Sequence, residues 1–189
     1  AASENLRGKP YDISAEEIAR RCSEAWRRGT TDVCMQGGIH PDYTGQTYLD
    51  ILATVRAATP AMHVHAFSPL EVFQGAQTLG LSLENFLQQL KTAGLDTLPG
   101  TAAEILHDEV RHTLCPDKLS AKQWLEVMAA AHKVGFKTTA TIMFGHIETA
   151  EHCASHLLAI ADLQRQTGGF TEFVPLPFVA HEAPLYKKG

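Results

Sequence analysis

SAKQWLEVMAAAHKVGFKTTATIMFGHIET, residues 120–149, contains the unit from which the whole chain is built. Ser120 is a natural helix cap, and the apolar residues after it recur at helical spacing as far as Val134. Gly135 stands where a left-handed residue ends a helix. Lys137–Phe144 is then dense in β-branched residues and reads as a strand. Gly145 turns the chain, and Thr149 caps a further helix running to about Gln166. Helix, strand, helix is the repeat of a parallel sheet, since parallel neighbours need a long crossover.

The same rhythm extends in both directions. Upstream, Ser14 with Glu17 makes a capping box for a helix to about Arg28, ended by Gly29. Thr31–Gln36 reads as a strand closing on Gly37-Gly38. A helix over about 46–58 stops before Pro60, and Met62–Phe67 is the next strand. Ser82–Ala93 is a helix ended by Gly94, Asp96–Pro99 a brief strand, and helical turns follow through Leu106 and Val110. Downstream, Phe170–Val174 is the fifth strand, and Pro175 and Pro177 are expected to stop it there. No repeat of roughly 20–50 residues and no dividing linker interrupts the pattern, so residues 1–189 read as one domain.

Five βα repeats fit either an open doubly wound sheet or part of a (β/α)8 barrel. A parallel sheet covered on both faces favours continuous Val, Ile and Leu. These strands instead carry His63, His65, Thr138, Thr139, Thr141, Thr171 and Glu172, which favours a barrel whose open end tolerates polar groups. A complete barrel takes about 250 residues. A chain of 189 residues with five strands is therefore expected to be a partial barrel, an internal fragment.

Composition narrows the function. The net charge is -5 with no basic blocks, which argues against nucleic acid as a partner. No signal peptide or membrane span is readable, and a soluble, cytoplasmic protein is expected. Cys22, Cys34, Cys115 and Cys153 form no CxxC or CxxxCxxC spacing. They are expected to be reduced, mostly buried thiols that do not converge and hold no metal.

In parallel α/β folds ligands bind at the carboxyl ends of strands. The first such exit is Gln36-Gly37-Gly38-Ile39-His40-Pro41, where paired glycines open the backbone to a ligand or simply make a turn. His63-Val64-His65-Ala66-Phe67-Ser68-Pro69 follows, with two histidines on one side of the strand. They are base candidates, a metal pair, or locally satisfied wall residues. Leu98-Pro99-Gly100-Thr101-Ala102-Ala103-Glu104 places a carboxylate one turn into the next helical segment, facing a ligand or compensating the helix dipole. Phe144-Gly145-His146-Ile147-Glu148-Thr149 and Phe170-Thr171-Glu172 complete the series, and Glu172 within a strand is expensive unless it touches a ligand or partner.

Taken in order, QGGIHPDYTG, HVHAFSPLEV, LPGTAAEIL, CPDKLSAKQWLEVM, TTATIMFGHIET and TGGFTEFVPLPF closely resemble the radical S-adenosylmethionine (SAM) enzymes of deazaflavin synthesis. The likeness is to the CofH-type 5-amino-6-(D-ribitylamino)uracil–L-tyrosine 4-hydroxyphenyl transferases, or the equivalent half of fused Fo synthases. Sister enzymes of the futalosine menaquinone pathway share QGG, HAFSP and the TATxMxGH segment, and a non-catalytic barrel segment is the alternative from another class. The resemblance implies a (β/α)8 barrel, a 4Fe-4S cluster, and a SAM-derived radical that fragments L-tyrosine and delivers its 4-hydroxybenzyl unit to 5-amino-6-(D-ribitylamino)uracil. It also implies a partner, the lyase subunit or fused lyase half. By position, Gln36, Gly37, Gly38, Glu104 and Gly145 are expected at SAM, His40 and Ser68 at substrate, and His65, His146 and Glu172 in catalysis. All are expected around one cavity. The cluster loop CxxxCxxC is absent, its cysteines expected upstream of Ala1, so the fragment alone is expected to be inactive.

Overall fold

Most of the helices start on a hydroxyl residue. Ser14, Ser68, Ser82, Ser120 and Thr149 each accept the N–H three residues on, satisfying a backbone donor that the first helical turn leaves unpaired. The computed structural model describes residues 12–37 and 39–180. These helices alternate with five parallel strands as α1 (Ala15–Arg27), β1 (Asp32–Met35), α2 (Gly45–Ala58), β2 (His63–Ala66), α3 (Pro69–Thr78), α4 (Leu83–Ala93), β3 (Thr97–Leu98), α5 (Asp108–Leu114), α6 (Ala121–Val134), β4 (Lys137–Phe144), α7 (Ala150–Thr167) and β5 (Phe170–Pro177). The chain divides into two compact units, Ala1–Pro99 and Gly100–Gly189.

In the first unit β1 pairs with β2 from Asp32↔His63 to Met35↔Ala66, and β2 pairs with β3 at His65↔Thr97. Leu52, Val55, Met62, Val64, Ala66, Val72, Phe86, Leu87 and Leu90 are fully buried. Each such side chain contributes roughly 1.5–3 kcal/mol through burial if of Val or Leu size. In the second unit β4 pairs with β5, and Trp124 and Met128 of α6 pack with Ala140, Ile160 and Leu163 in one apolar cluster. Each strand pairs with its sequence neighbour within its unit, with no jump in order of the doubly wound kind.

Four expectations need correction. The sequence reading left 69–78 without a helix, whereas α3 occupies it, started by a Ser68–Glu71 capping box with Pro69 at the first helical position. β5 does not stop at Val174 but continues through Pro177. The Phe178 N–H donates to the Phe144 carbonyl at 2.8 Å. Alternate residues of a parallel strand face the same neighbour, so the nitrogens of Pro175 and Pro177 fall on the edge away from β4 and forfeit no bond to it. Leu106 is not helical, and Glu104 sits in a bend with φ 42°, so helix-dipole compensation does not explain its carboxylate. The strand threonines are satisfied locally. Thr138 is bonded to His132 Nε2 at 2.8 Å, Thr139 accepts the Gly100 N–H at 2.9 Å, and Thr141 donates to the Gly100 carbonyl at 2.7 Å.

Candidate functional site

The site residues expected from sequence divide between the two units. Gln36, Gly37, His40, His65 and Ser68 belong to the first, and Glu104, Gly145, His146 and Glu172 to the second. Gly38 lies outside the described residues.

In the first unit the organising group is Glu71 of α3, fully buried. Its Oε1 accepts the Gly37 N–H at 2.9 Å, and its Oε2 accepts both the N–H and the hydroxyl of Ser68 at 2.7 Å. Three donors on one carboxylate compensate for its removal from water. The carboxyl end of β1 is thereby fastened to the carboxyl end of β2. One turn along α3, Gln74 donates to the carbonyls of His40 and Tyr43 at 3.4 Å and accepts the Tyr48 hydroxyl at 2.9 Å. His40 itself is half exposed, with Nδ1 accepting the Asp42 N–H at 3.2 Å. Phe67 holds φ 66°, a strained value for an aromatic residue, between β2 and the Ser68 cap. A cavity of about 240 Å³ opens beside Cys34, Gln36, Gly37, Tyr43 and Glu71. A Cβ at Gly37 would meet only ordinary contacts, so crowding does not require glycine there.

His63 and His65 do not stand as a free pair. His63 Nε2 and His65 Nδ1 lie 2.9 and 2.8 Å from the same Thr97 hydroxyl. A hydroxyl donates one proton, so at least one of these ring nitrogens must be the donor.

In the second unit the 100–106 segment is clamped from two sides. A Cβ on Gly100 would collide with the Thr139 backbone, so only glycine allows this approach to β4. Ala102 and Glu104 both have positive φ, 59° and 42°. The buried Arg111 guanidinium holds them there, donating to the carbonyls of Ala102 at 3.2 Å, of Ala103, and of Leu119 at 2.6 Å. Glu104 is almost wholly buried, with Oε1 2.6 Å from Lys118 Nζ and Oε2 3.8 Å from Arg111. Glu104 Oε2 and, in the same segment, Thr101 Oγ1 are each buried without a hydrogen-bond partner. Buried acceptors left without a donor are expensive, so these two atoms ask for an explanation beyond the fold of the segment.

Past β4, Glu148 accepts the N–H groups of Gly145 at 2.5 Å and His146 at 2.9 Å. Burial pushes its carboxyl pKa up, but these backbone donors outweigh that and leave it below the usual range. The His146 side chain is buried, with Nε2 donating to the Met143 carbonyl at 3.0 Å and Nδ1 accepting the Ile147 N–H at 2.7 Å. Glu172 is exposed on β5, so as a solvated carboxylate it needs no partner to offset its position in a strand. The chain's own sequence carried a sign of Glu71, the S-P-x-E capping box, but none of Gln74, Arg111 or Lys118, whose partners lie in separate segments.

All four cysteines are free; Cys22 and Cys115 are buried, Cys153 is partly buried, and Cys34 is exposed in β1. Among the described residues no three of them gather. A 4Fe-4S cluster therefore has no ligand set among them. For SAM, the first unit taken by itself offers the cavity beside Gly37, lined by both polar and apolar groups.

The chain is 51% identical over 179 residues to the FO synthase of Streptomyces coelicolor, covering 95% of this chain and 21% of that protein. It is 50% identical to the FO synthase of Mycobacterium tuberculosis H37Rv over the same shares. It is 48% identical over 182 residues to the 5-amino-6-(D-ribitylamino)uracil–L-tyrosine 4-hydroxyphenyl transferase of Methanocaldococcus jannaschii, covering 95% of this chain and 51% of that one. The chain thus spans about a fifth of the FO synthases and half of the transferase. The crystal structure of methylornithine synthase (PylB) superposes with a TM-score of 0.74 at 14% identity, over 95% of this chain and 49% of that chain, which gives the fold as part of a barrel of that type. The family model of the Radical SAM superfamily matches residues 1–160, and the chain belongs to that superfamily.

Proposed function

We propose that the protein of which this chain is part transfers the 4-hydroxybenzyl group of L-tyrosine to 5-amino-6-(D-ribitylamino)uracil in deazaflavin synthesis. The observation that carries the reading is the 48% identity over 95% of this chain to a protein named for that transfer. Identities of 50–51% to FO synthases support the same chemistry and a lyase half or subunit as partner.

SAM, when bound together with a reduced cluster, supplies the radical chemistry of this superfamily. The chain's own residues bind and orient. Glu71, by fixing the Gly37 N–H and Ser68, holds the Gln36-Gly37 backbone for the methionine end of SAM. Ser68 acts through this bond as a positioning residue, and His40, held through its carbonyl by Gln74, faces substrate. Glu104 Oε2 and Thr101 Oγ1 accept from the hydroxyl or amino groups of SAM. Gly145 leaves room at the β4 exit. His65, His146 and Glu172 are the groups proposed to touch reacting substrate. His65 is oriented by Thr97, and His146 keeps its proton on Nε2 through the Met143 carbonyl.

The test is an anaerobic assay of the intact, cluster-loaded protein with L-tyrosine, the ribitylaminouracil, SAM and a reductant. The reading expects a product carrying both the 4-hydroxybenzyl unit and the uracil. SAM cleavage without that product, from a preparation with full cluster occupancy, would overturn it.

A further inference from the structure

We propose a divalent transition-metal site in the second unit, formed by His107, Glu109 and His152 and suited to zinc. His107 precedes α5, Glu109 lies in its first turn, and His152 lies in the first turn of α7. Their ligating atoms all fall within 4.8 Å of one another. The two imidazole rings lie 4.5 Å apart, and His152 Nε2 is 3.7 Å from Glu109 Oε2. That is too long for a hydrogen bond but close to the separation of two zinc ligands. Ligands about 2 Å from the ion at a tetrahedral angle stand roughly 3.3 Å apart.

Local structure explains only part of this group. The capping box accounts for His152 Nδ1, which accepts the Thr149 N–H at 3.1 Å. Nothing accounts for His107 Nδ1, which is buried and has no hydrogen-bond partner. An imidazole with an unsatisfied nitrogen, its ring set beside a second imidazole and within reach of a carboxylate, has the donor character a borderline ion takes. Two nitrogens and one oxygen select a borderline divalent ion over calcium or magnesium, which take oxygen ligands. Three protein ligands leave a fourth position for water.

Occupation has a local consequence. Ligation through His152 Nε2 places that ring's proton on Nδ1, so Nδ1 can no longer accept from Thr149. The Thr149 hydroxyl still accepts the His152 N–H at 3.3 Å, so α7 keeps its start. The ion would brace the beginnings of α5 and α7.

Titration of the full chain with zinc chloride by calorimetry should give one saturable equivalent. His107→Ala and His152→Ala should each weaken it at least tenfold, and the double variant should abolish it. His112→Ala, an exposed histidine on α5 outside the group, should leave it unchanged. Far-ultraviolet circular dichroism establishes that each variant is folded. The Thr149 amide should shift in proton–nitrogen spectra on addition of zinc to the wild type and to His112→Ala, and not in the double variant. Absence of saturable binding in the wild type, or binding retained by the folded double variant, would overturn the proposal. So would binding lost equally in His112→Ala. Glu109→Gln, exposed and free of any core role, supplies a variant whose folding is not in question and should also weaken binding.

Discussion

Glu71 and Gly37 stand 34 residues apart and are joined by a single 2.9 Å bond from the Gly37 N–H to Glu71 Oε1, a bond that fastens α3 to the end of β1. The other carboxylate oxygen is committed to Ser68, at both its N–H and its hydroxyl. Replacing Glu71 by Ala strands three donors in or near the interior. With one such donor costing about 1–3 kcal/mol, and water reaching the half-exposed Gly37 end, the expected loss of stability is about 3 kcal/mol. Urea unfolding measures it. A loss under 1 kcal/mol would mean that the loop does not depend on this carboxylate.

Gly100 makes the comparable contact in the second unit. Its N–H and carbonyl are both gripped by threonines of β4, and an added methyl would strike the Thr139 backbone, which cannot swing aside. Gly100→Ala is expected to lower the melting temperature by several degrees, corresponding to about 2–4 kcal/mol from overpacking and lost bonds. A variant that melts with the wild type would show that the 99–106 segment can shift without cost.

These two contacts mark the limit of what the sequence made legible. Caps and stops are local: Ser14, Ser82, Ser120 and Thr149 at helix starts, and Gly94 and Gly135 at ends, stand where the pattern put them. α3 was also announced locally, by the Ser68–Glu71 capping box with Pro69 at the first helical position, but its apolar pattern is short and follows a strand directly. β5 was cut short because proline was weighed without knowing which edge of the strand its nitrogen would face. Arg111 was illegible for a different reason. Its role depends on carbonyls of 102, 103 and 119 being folded around one guanidinium, and no spacing in the sequence encodes that convergence.

Acid should destabilise the second unit through His156. Burial lowers its pKa to about 4 from an ordinary 6.5, while its Nδ1 accepts the Leu106 N–H at 3.0 Å. Above pH 6.5 the ring is neutral in both folded and unfolded chains, so it contributes no pH dependence there. Between about 6.5 and 4 only the unfolded chain takes up the proton, so stability falls as pH falls. The full difference is about 3 kcal/mol, at about 1.4 kcal/mol per pH unit. His132, also lowered to about 4 by burial and then by Lys137, acts in the same direction. Chemical denaturation at pH 7 and pH 4.5 should show the loss, and His156→Gln, which keeps an acceptor for Leu106, should reduce it. A wild-type profile flat across that range would refute the assignment.

Glu104 separates a structural carboxylate from a ligand-binding one. Its Oε1 holds Lys118, and it lies 3.8 Å from the buried Arg111, so part of its value is compensation of charge inside the 100–106 segment. That part alone predicts that Glu104→Gln destabilises the protein while leaving its ligands bound as before. The unpartnered Oε2 predicts something further. Glutamine retains the shape and one acceptor but brings an N–H₂ to a position proposed to receive donors from SAM. In the intact protein the dissociation constant for SAM, measured by equilibrium dialysis, should rise more than tenfold, or about 1.4 kcal/mol. Lys118→Met, which removes only the outer half of the ion pair, supplies the control: it should lower stability comparably and change SAM affinity much less. If both variants shift stability while SAM binding stays within twofold of wild type, the carboxylate serves the loop alone, and the SAM-binding role must be withdrawn.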